Sequence, residues 1–301
     1  MLASQKNLIK QGNRPMIRFD WYQSSVRVTE PYESGLVGVL LSAYELSDFQ
    51  RCQNRNGYTY GGAIVRGSRT LCTLQWGGNP WVNVTATSED APALAEALNG
   101  AFPGEHGPTR IDSCVDWVEK GLFDSVSEKL VAYAQDKGLA INQQGDWVRG
   151  VARTLYLGSK CSPVRLVLYE KGYEQGGDAP LDWVRLEVRI RPKKQHRLAV
   201  SAWEPHHIFG VSWVHGAVEV LGWNDLTKRS VGTVWRQSDD ERAFAHLCKQ
   251  YGPLFERLKD AHGSYEAVGS IIGVGVLNAR THATSKHVIC EHVYADGLLA
   301  H

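Results

Sequence analysis

The hydrophobic and polar positions of the chain alternate in several short segments, and the segment 165–171, R-L-V-L-Y-E-K, is the one around which the others are arranged. Alternation with a period of two predicts a strand, with Arg165, Val167 and Tyr169 on one face. Two interpretations of Tyr169 are open. It is either a half-buried strand tyrosine, a common residue in sheets, or a nucleophile held beside cations that neutralise a phosphate.

The same pattern predicts the other elements of the chain. Strands are expected over 16–28, 58–64, 69–76, 81–86, 109–117, 147–157 and 183–191, and helices over 35–46, 91–102 and 123–137. Further along, 211–223 and 229–235 are predicted to contain strands, and 242–251, 254–261 and 265–277 to be helices. This order favours an α+β fold with a largely antiparallel sheet, helices on one of its faces and a helical or mixed C-terminal region. No internal repeat is evident.

The expected domain boundaries lie where the composition of the chain changes. Residues 1–15 are polar and basic and are predicted to be a flexible leader, and a boundary is expected near residue 195, which separates 16–195 from a C-terminal region at 196–301. The chain is 43% hydrophobic and 22% charged, as in ordinary soluble globular proteins. With no signal peptide and no apolar run able to span a bilayer, a cytoplasmic location is expected.

Charge and cysteine content exclude some classes of site. The six cysteines include no C-x-x-C pair, which argues against a zinc knuckle and against a disulfide scaffold. A C-terminal group of His282, His287, Cys290 and His292 has irregular spacing, which favours a structural or chance origin over a zinc site. The formal net charge is +1, so any binding of nucleic acid must come from local patches.

Three predicted strands each place polar side chains on one face. These residues are Arg110, Asp112, Cys114 and Asp116 in the first strand, Arg165 and Tyr169 in the second, and Arg185, Glu187 and Arg189 in the third. In one sheet, they would gather acids that suit Mg²⁺ or Mn²⁺, arginines that suit phosphate, and a tyrosine able to attack it. A solvated sheet face with cross-strand ion pairs has the same pattern, so both interpretations stay open.

Three segments resemble the replication initiation factor family, the rolling-circle initiators of filamentous phages and small Gram-positive plasmids. They are T-R-I-D-S-C-V-D-W at 109–117, T-L-Y-L-G-S-K-C-S-P-V-R-L-V-L-Y-E-K-G-Y-E-Q-G at 154–176 and W-V-R-L-E-V-R-I-R at 183–191, in family order. Weaker similarity occurs at Asp20-Trp21 and at 250–254, and the overall form is closest to the filamentous-phage members.

The resemblance implies an enzyme that nicks one strand at a double-stranded origin, stays joined to the 5′ phosphate through a tyrosine, and later rejoins the strand. Its R-x-x-x-Y-x-K motif matches Arg165, Tyr169 and Lys171, which makes Tyr169 the expected nucleophile and Tyr173 the second choice. The implied metal ligands are Asp112 and Glu187, with Asp116 less certain. No histidine here has another two positions away, so the His-hydrophobic-His metal site of the other large initiator class is not expected.

The resemblance also implies partners, namely origin DNA, the nicked single strand, and the host helicase and polymerase, with a homodimer as a further expectation and no membrane. The residues expected to contact DNA are Arg110, Arg185, Arg189, Lys193, Lys194 and Arg197, and the C-terminal region is the candidate for origin recognition. Two other classes compete with this interpretation. One is a DNA-binding regulator that keeps the fold without the chemistry, and the other is a structural α+β protein that binds no DNA.

Overall fold

A computed structural model describes residues 16–232 and 239–281 of the 301-residue chain. The described residues form two compact units, one made of 16–232 and the other of 239–281. The predicted boundary near residue 195 does not coincide with this division, because residues 196–232 belong to the first unit and supply buried side chains to its core. The predicted leader at 1–15 and the C-terminal His/Cys group lie outside the described residues.

The first unit is a ten-stranded antiparallel sheet with short helices. Its strands are β1 Arg18–Val26, β2 Asp48–Cys52, β3 Tyr60–Arg66, β4 Arg69–Trp76, β5 Val82–Thr87, β6 His106–Val118, β7 Ile141–Asp146, β8 Val151–Leu157, β9 Val164–Glu170 and β10 Trp183–Ile190. Its α-helices are α1 Leu36–Ala43, α2 Ala91–Ala101, α3 Leu122–Asp136, α4 Lys171–Gln175, α5 Arg197–Ser201 and α6 Val214–Glu219. Short 3₁₀ helices occur at Ser88–Asp90, Lys194–His196 and Pro205–Gly210.

The alternation of the strands decides which face of the sheet carries the helices. In β10, Val184, Leu186, Val188 and Ile190 are all at most 2% exposed and pack in the core beneath the helices. Each such side chain contributes about 1.5–3 kcal/mol when it is removed from water. The intervening positions of β6, β9 and β10 project from the opposite side of the sheet, called here the open face. The predicted α+β class, antiparallel sheet and helices on one face are therefore confirmed.

Several local predictions were wrong, and each failure has a physical reason. The edge strands β2 and β7 were missed because their sequences, D-F-Q-R-C and I-N-Q-Q-G-D, are too polar and exposed to alternate. The segment 211–223 contains α6 rather than a strand. Of the strand predicted within 229–235, the described residues 229–232 hold an isolated bridge from Arg229 to Val211, and 233–235 lie outside the described residues. Apolar residues at short spacing in V-S-W-V-H-G-A-V-E-V fit a buried helix as well as a buried strand.

The second unit consists of α7 Asp239–His262 and α8 Tyr265–Thr281, which pack on each other. The prediction of helices was right, but the two segments predicted before residue 262 are one helix with Pro253 inside it. The missing N–H of a proline costs one helical hydrogen bond without ending the helix in this case.

The sheet is built from one pattern of connections used twice. Its strand order is β2-β3-β4-β5-β1-β6-β10-β9-β8-β7, which has the same arrangement when counted from either edge toward the central antiparallel pair β1 and β6. Each half runs strand, helix, then four strands in a meander whose last member pairs with the first strand. A pseudo-two-fold axis between β1 and β6 therefore relates the N-terminal half, β1 to β5, to the C-terminal half, β6 to β10.

Short sequence matches coincide with this pseudo-symmetry. The pairs are R-F-D at 18–20 with R-I-D at 110–112, E-S-G-L at 33–36 with E-K-G-L at 119–122, and W-V at 81–82 with W-V at 183–184. Gly35 and Gly121 precede their helices with nearly the same left-handed φ, 73° and 75°, a conformation that favours glycine. The expectation of no internal repeat is thus corrected, since the matches are too short and too widely spaced to be noticed without the topology.

Candidate active site

The structure brings the three polar-faced strands together in the order β6-β10-β9. Their registers form cross-strand rows on the open face, in which Tyr169 lies opposite Arg185 and Arg185 opposite Asp116. In the next rows, Glu187 lies opposite Cys114, and Arg189 lies between Arg165 and Asp112. The predicted juxtaposition of acids, arginines and a tyrosine on one face is therefore present.

Tyr169 is half-buried at the end of β9, and its hydroxyl donates to Glu187 Oε2 at 3.3 Å. Burial and, after it, the charge of Glu187 raise the pKa of the Tyr169 phenol, while the guanidinium of Arg185 opposes that rise. The phenol is thus neutral at rest. A carboxylate lies within reach of its proton, and a cation lies close enough to stabilise the oxygen once the proton has left.

Arg185 is held by two acids and is only 3% exposed. Its Nε and Nη2 donate to Asp116 at 2.6 and 2.9 Å, and its Nη1 donates to Asp20 at 2.8 Å. Asp116 also accepts from Arg18 and from the Trp183 indole. Although burial opposes it, these hydrogen bonds lower the pKa of Asp116. Arg185 was predicted to contact DNA, but its position makes it an internal cation beside Tyr169.

Replacing Arg185 with methionine should destabilise the protein by about 3 kcal/mol at neutral pH, because two carboxylates lose a buried partner. A carboxylate whose pKa is lowered by folding stabilises the protein above its unfolded pKa of about 3.9, and that contribution disappears as the pH falls. Urea unfolding of both proteins, followed from neutral pH to about pH 3, should therefore show the difference shrinking at acidic pH. A difference that stays constant over that range would contradict the assignment.

Two buried acids of the open face share one arginine. Arg189 Nε donates to Glu187 Oε1 at 2.6 Å and lies 3.7 Å from Asp112 Oδ2, and Asp112 also pairs with Arg110. Both acids are 2% exposed. Burial raises the pKa of Glu187 to about 7; Arg189 opposes the rise and Asp112 adds to it. The guanidinium of Arg189 therefore occupies the position of a cation that neutralises two acids.

The donor chemistry of Asp112 and Glu187 fits a hard divalent cation. Magnesium is commonly held by only one or two carboxylates, with water and substrate phosphates completing its shell. Within residues 16–232 and 239–281, no group of three or more His, Cys, Asp or Glu is arranged to hold a metal. Asp116 is fully engaged with Arg185, Arg18 and Trp183, so Asp112 and Glu187 are the better pair for such an ion.

Arg165 supplies a cation with spare hydrogen-bonding capacity. Its guanidinium stacks on the Tyr156 ring at 4.0 Å, and its buried Nε has no hydrogen-bond partner among the described residues. Burial, and then the nearby charges of Arg189 and Arg191, lower the pKa of Arg165. An anion placed on this face would relieve the repulsion among the three arginines.

Comparison with known proteins bears on this arrangement of residues. The model of the replication initiation factor family matches residues 100–205, which run from the end of α2 to the 3₁₀ turn that follows α5. The segment 100–205 is similar to replication initiation factors. It contains β6, β9 and β10, and the resemblance noted in the sequence is thereby confirmed; the filamentous-phage subtype stays a prediction.

Other comparisons add little to this result. A rolling circle replication initiator protein from Geobacillus stearothermophilus is similar in structure, with a TM-score of 0.44 and 19% identity over 62% of this chain and 78% of that one. A similarity of that size carries no argument here. A search of curated proteins found no match. In the part of the chain that the structure describes, no helix is long and apolar enough to cross a membrane.

The remaining predicted residues of the matched segment lie at the margins of the site. Lys171 Nζ binds Glu174 at 2.8 Å and lies 5.6 Å from the centre of the Tyr169 ring. Tyr173, the second-choice nucleophile, lies in α4. Lys193 and Lys194 lie at the 3₁₀ turn after β10, and Arg197 begins α5 and donates to the Pro192 carbonyl.

Asp20 is the acid that the sequence analysis did not include in the site. It lies in a β-bulge of β1, between Phe19 and Trp21, and this irregularity directs its carboxylate to Arg185 on the open face. Simple alternation along β1 does not reveal it. The available signal was the R-x-D match between 18–20 and 110–112, which makes Asp20 the counterpart of Asp112.

Proposed function

We propose that this protein initiates rolling-circle DNA replication by nicking one strand of a double-stranded origin through Tyr169, and that it later rejoins the strand. The observation that carries the proposal is the contact of the Tyr169 hydroxyl with Glu187, beside Arg185, inside the segment that matches replication initiation factors. A nucleophile, a proton acceptor and a cation thus occupy adjacent strands of one rigid sheet.

The proposed step is a transesterification at phosphorus. The Tyr169 oxygen attacks the phosphate as its proton passes to Glu187 Oε2, and the bond from phosphorus to the 3′ oxygen breaks. The departing oxygen takes a proton from solvent and becomes a 3′ hydroxyl, while the 5′ phosphate stays on Tyr169. Rejoining is the reverse, since a 3′ hydroxyl attacks the phosphotyrosine and the proton on Glu187 returns to the tyrosine.

Two arginines of the open face have different roles in the proposed reaction. Arg185 stabilises negative charge on the Tyr169 oxygen, and Arg165 binds phosphate with its guanidinium. Four residues of a strand span about 13 Å, so Arg165 is placed for a phosphate next to the one attacked rather than for the same one. Asp112 and Glu187 would hold Mg²⁺ or Mn²⁺, which when bound supplies positive charge to the phosphate oxygens.

Changing Arg165 to glutamine should weaken binding of single-stranded DNA and flatten its salt dependence. Loss of one phosphate contact reduces the slope of log K against log salt by about 0.7 for a single strand. Fluorescence anisotropy at several salt concentrations measures both quantities. Arg149, an exposed arginine outside the rows of the open face, is a control, and equal effects of Arg149→Gln and Arg165→Gln would contradict the assignment.

The proposed chemistry is tested with supercoiled plasmid that carries the candidate origin, incubated with the full chain and Mg²⁺ or Mn²⁺. The expected result is open-circular DNA with protein covalently attached to its 5′ end. Nicked DNA without attached protein would contradict the tyrosine step, and the absence of nicking with either metal would contradict the activity.

A second candidate function, a DNA-binding regulator without chemistry, is favoured by one observation. Both acids that would hold a metal are already neutralised by Arg110 and Arg189. Such ion pairs, in which both carboxylates already have an arginine partner, are expected in a protein that keeps the fold but does not catalyse nicking. Such a protein would bind DNA with steep salt dependence and would leave no covalent product with any metal.

The proposal extends to partners that the site itself does not contact. A free 3′ hydroxyl is the primer that a host polymerase needs, and a host helicase would separate the strands ahead of it. Recognition of the origin sequence is assigned to the region from residue 196 onward, which includes α7 and α8, and a homodimer remains part of the proposal.

A further inference from the structure

The pseudo-two-fold axis assigns a counterpart to each residue of the active site. Since W-V at 81–82 matches W-V at 183–184, Asn83 corresponds to Arg185, Thr85 to Glu187 and Thr87 to Arg189. The register adds Gln75, which lies opposite Asn83 as Tyr169 lies opposite Arg185. Four site residues of the C-terminal half thus have a neutral amide or hydroxyl in their place in the N-terminal half, namely Tyr169, Arg185, Glu187 and Arg189.

Thr85 belongs to a straight cross-strand row, called here the neutral row, which consists of Gln50, Ala63, Thr73, Thr85 and Gln23. Its last member lies opposite Arg110, whose guanidinium stacks on Trp21 at 4.1 Å. The symmetry-related row of the C-terminal half contains Glu187 and Cys114. It ends at Arg18, which is the counterpart of Arg110. The two rows therefore form one continuous open face that crosses the central strands.

We propose that the neutral row is a non-catalytic subsite that binds the DNA strand where it leaves the catalytic half. The inference rests on the proposed function, because it requires DNA on the open face of the C-terminal half. A nicked strand is much longer than the catalytic site, so it must continue across some neighbouring surface. The open face offers about 24 Å of further sheet between β6 and β2, at about 4.8 Å per strand.

The chemistry of the neutral row suits a nucleic acid strand. Hydroxyl and amide groups hydrogen-bond to phosphate oxygens and to base edges, and no acid in the row repels the backbone. Gln23 and Thr85 donate to Asn83 Oδ1 at 3.0 and 3.4 Å, which fixes their positions. Gln50 is exposed, and neither it nor Thr73 makes a side-chain hydrogen bond within the described part of the chain. The row also carries no acid or base that could activate a hydroxyl for phosphoryl transfer.

The test replaces Gln50, at the far end of the neutral row, with a cation in one variant and with an anion in another. A charge is felt across only about 8–10 Å at physiological salt, so Gln50 senses DNA only if the strand reaches β2. We expect Gln50→Arg to tighten, and Gln50→Glu to weaken, the binding of a long single strand by about threefold or more each. The salt slope should change by about 0.7 in opposite directions. Fluorescence anisotropy with the full chain measures both.

Asn99 supplies the matched control, since it is exposed on α2, on the helix-bearing side of the sheet. Asn99→Arg and Asn99→Glu carry the same charges and should leave the affinity unchanged. If the Gln50 pair behaves like the Asn99 pair, the subsite is wrong. If both pairs shift the affinity equally, the effect is one of net charge and the subsite is equally wrong.

A shape-conserving pair of substitutions, Thr73→Val with Thr85→Val, removes both hydroxyls and should weaken binding of the long strand. A short strand that covers only the catalytic half should bind the variant as it binds the wild type, and equal losses for both strands would overturn the proposal. The affinity readout does not depend on nicking. Binding without a covalent product contradicts the chemistry at Tyr169 alone, whereas covalent product with no response at Gln50 contradicts the neutral row alone.

Discussion

Tyr169→Phe is expected to abolish the covalent protein–DNA product and to reduce nicking on the order of 10⁴-fold or more, because the nucleophilic oxygen is removed. The substitution deletes one hydroxyl whose hydrogen bond to Glu187 is 3.3 Å long. The free energy of unfolding should therefore fall by about 1 kcal/mol, and the fold and the affinity for DNA should be retained. Denaturing gel electrophoresis with end-labelled DNA measures the product, and urea unfolding measures stability.

Two other tyrosines serve as controls for this experiment. Tyr156 lies on the open face opposite Val167, and Tyr173 lies in α4 four residues after Tyr169. Tyr156→Phe and Tyr173→Phe should both form the covalent product at wild-type levels. If product persists in Tyr169→Phe and disappears in Tyr173→Phe, the nucleophile is Tyr173 and the geometry around β9 has been misinterpreted.

Glu187→Gln is expected to slow cleavage by about 10²- to 10⁴-fold at saturating metal, because the group that accepts the tyrosine proton is lost. Glutamine keeps the size of the side chain and can still bond to Arg189 and Tyr169, so the sheet should remain intact. A single-turnover assay, which follows formation of the covalent product, reports this step without interference from product release.

Glu170 provides the matched control for loss of a buried acid on the same sheet. It is 9% exposed and binds the Arg153 guanidinium at 2.9 Å, and it faces the helix-bearing side rather than the open face. Glu170→Gln should lower stability while leaving the single-turnover rate within about twofold of wild type. Equal losses of rate in the two variants would mean that general destabilisation, not proton transfer, explains the effect at Glu187.

Much of the fold could be predicted because a strand with one buried face carries alternating apolar residues in its own sequence. In W-V-R-L-E-V-R-I the apolar residues alternate strictly, and this pattern alone predicts both the strand and its buried face. The edge strands β2 and β7 carry no such pattern, since their side chains are exposed on both faces. The strand order could not be predicted from the sequence, because it depends on pairing between strands that are far apart along the chain.

The candidate site was predictable to the same extent. Tyr169, Arg185 and Glu187 were assigned to one face from alternation, and the structure places them on neighbouring strands. The sequence did not reveal which cations are internally paired. Arg185 is neutralised by two acids, one of them Asp20 in the bulge of β1, whereas Arg165 has an N–H without a hydrogen-bond partner among the described residues. Such distinctions arise from side-chain packing between strands that are distant in sequence.

The central claim, that Tyr169 forms a covalent bond to a 5′ phosphate, is tested most directly by peptide mapping of the trapped product. The full chain is allowed to react with origin DNA, the DNA and protein are digested, and mass spectrometry locates the residue that carries the nucleotide. The account predicts a single modified peptide with the nucleotide on Tyr169. A nucleotide on Tyr173 or on any other residue, or the absence of a modified peptide from DNA that has been nicked, would contradict it.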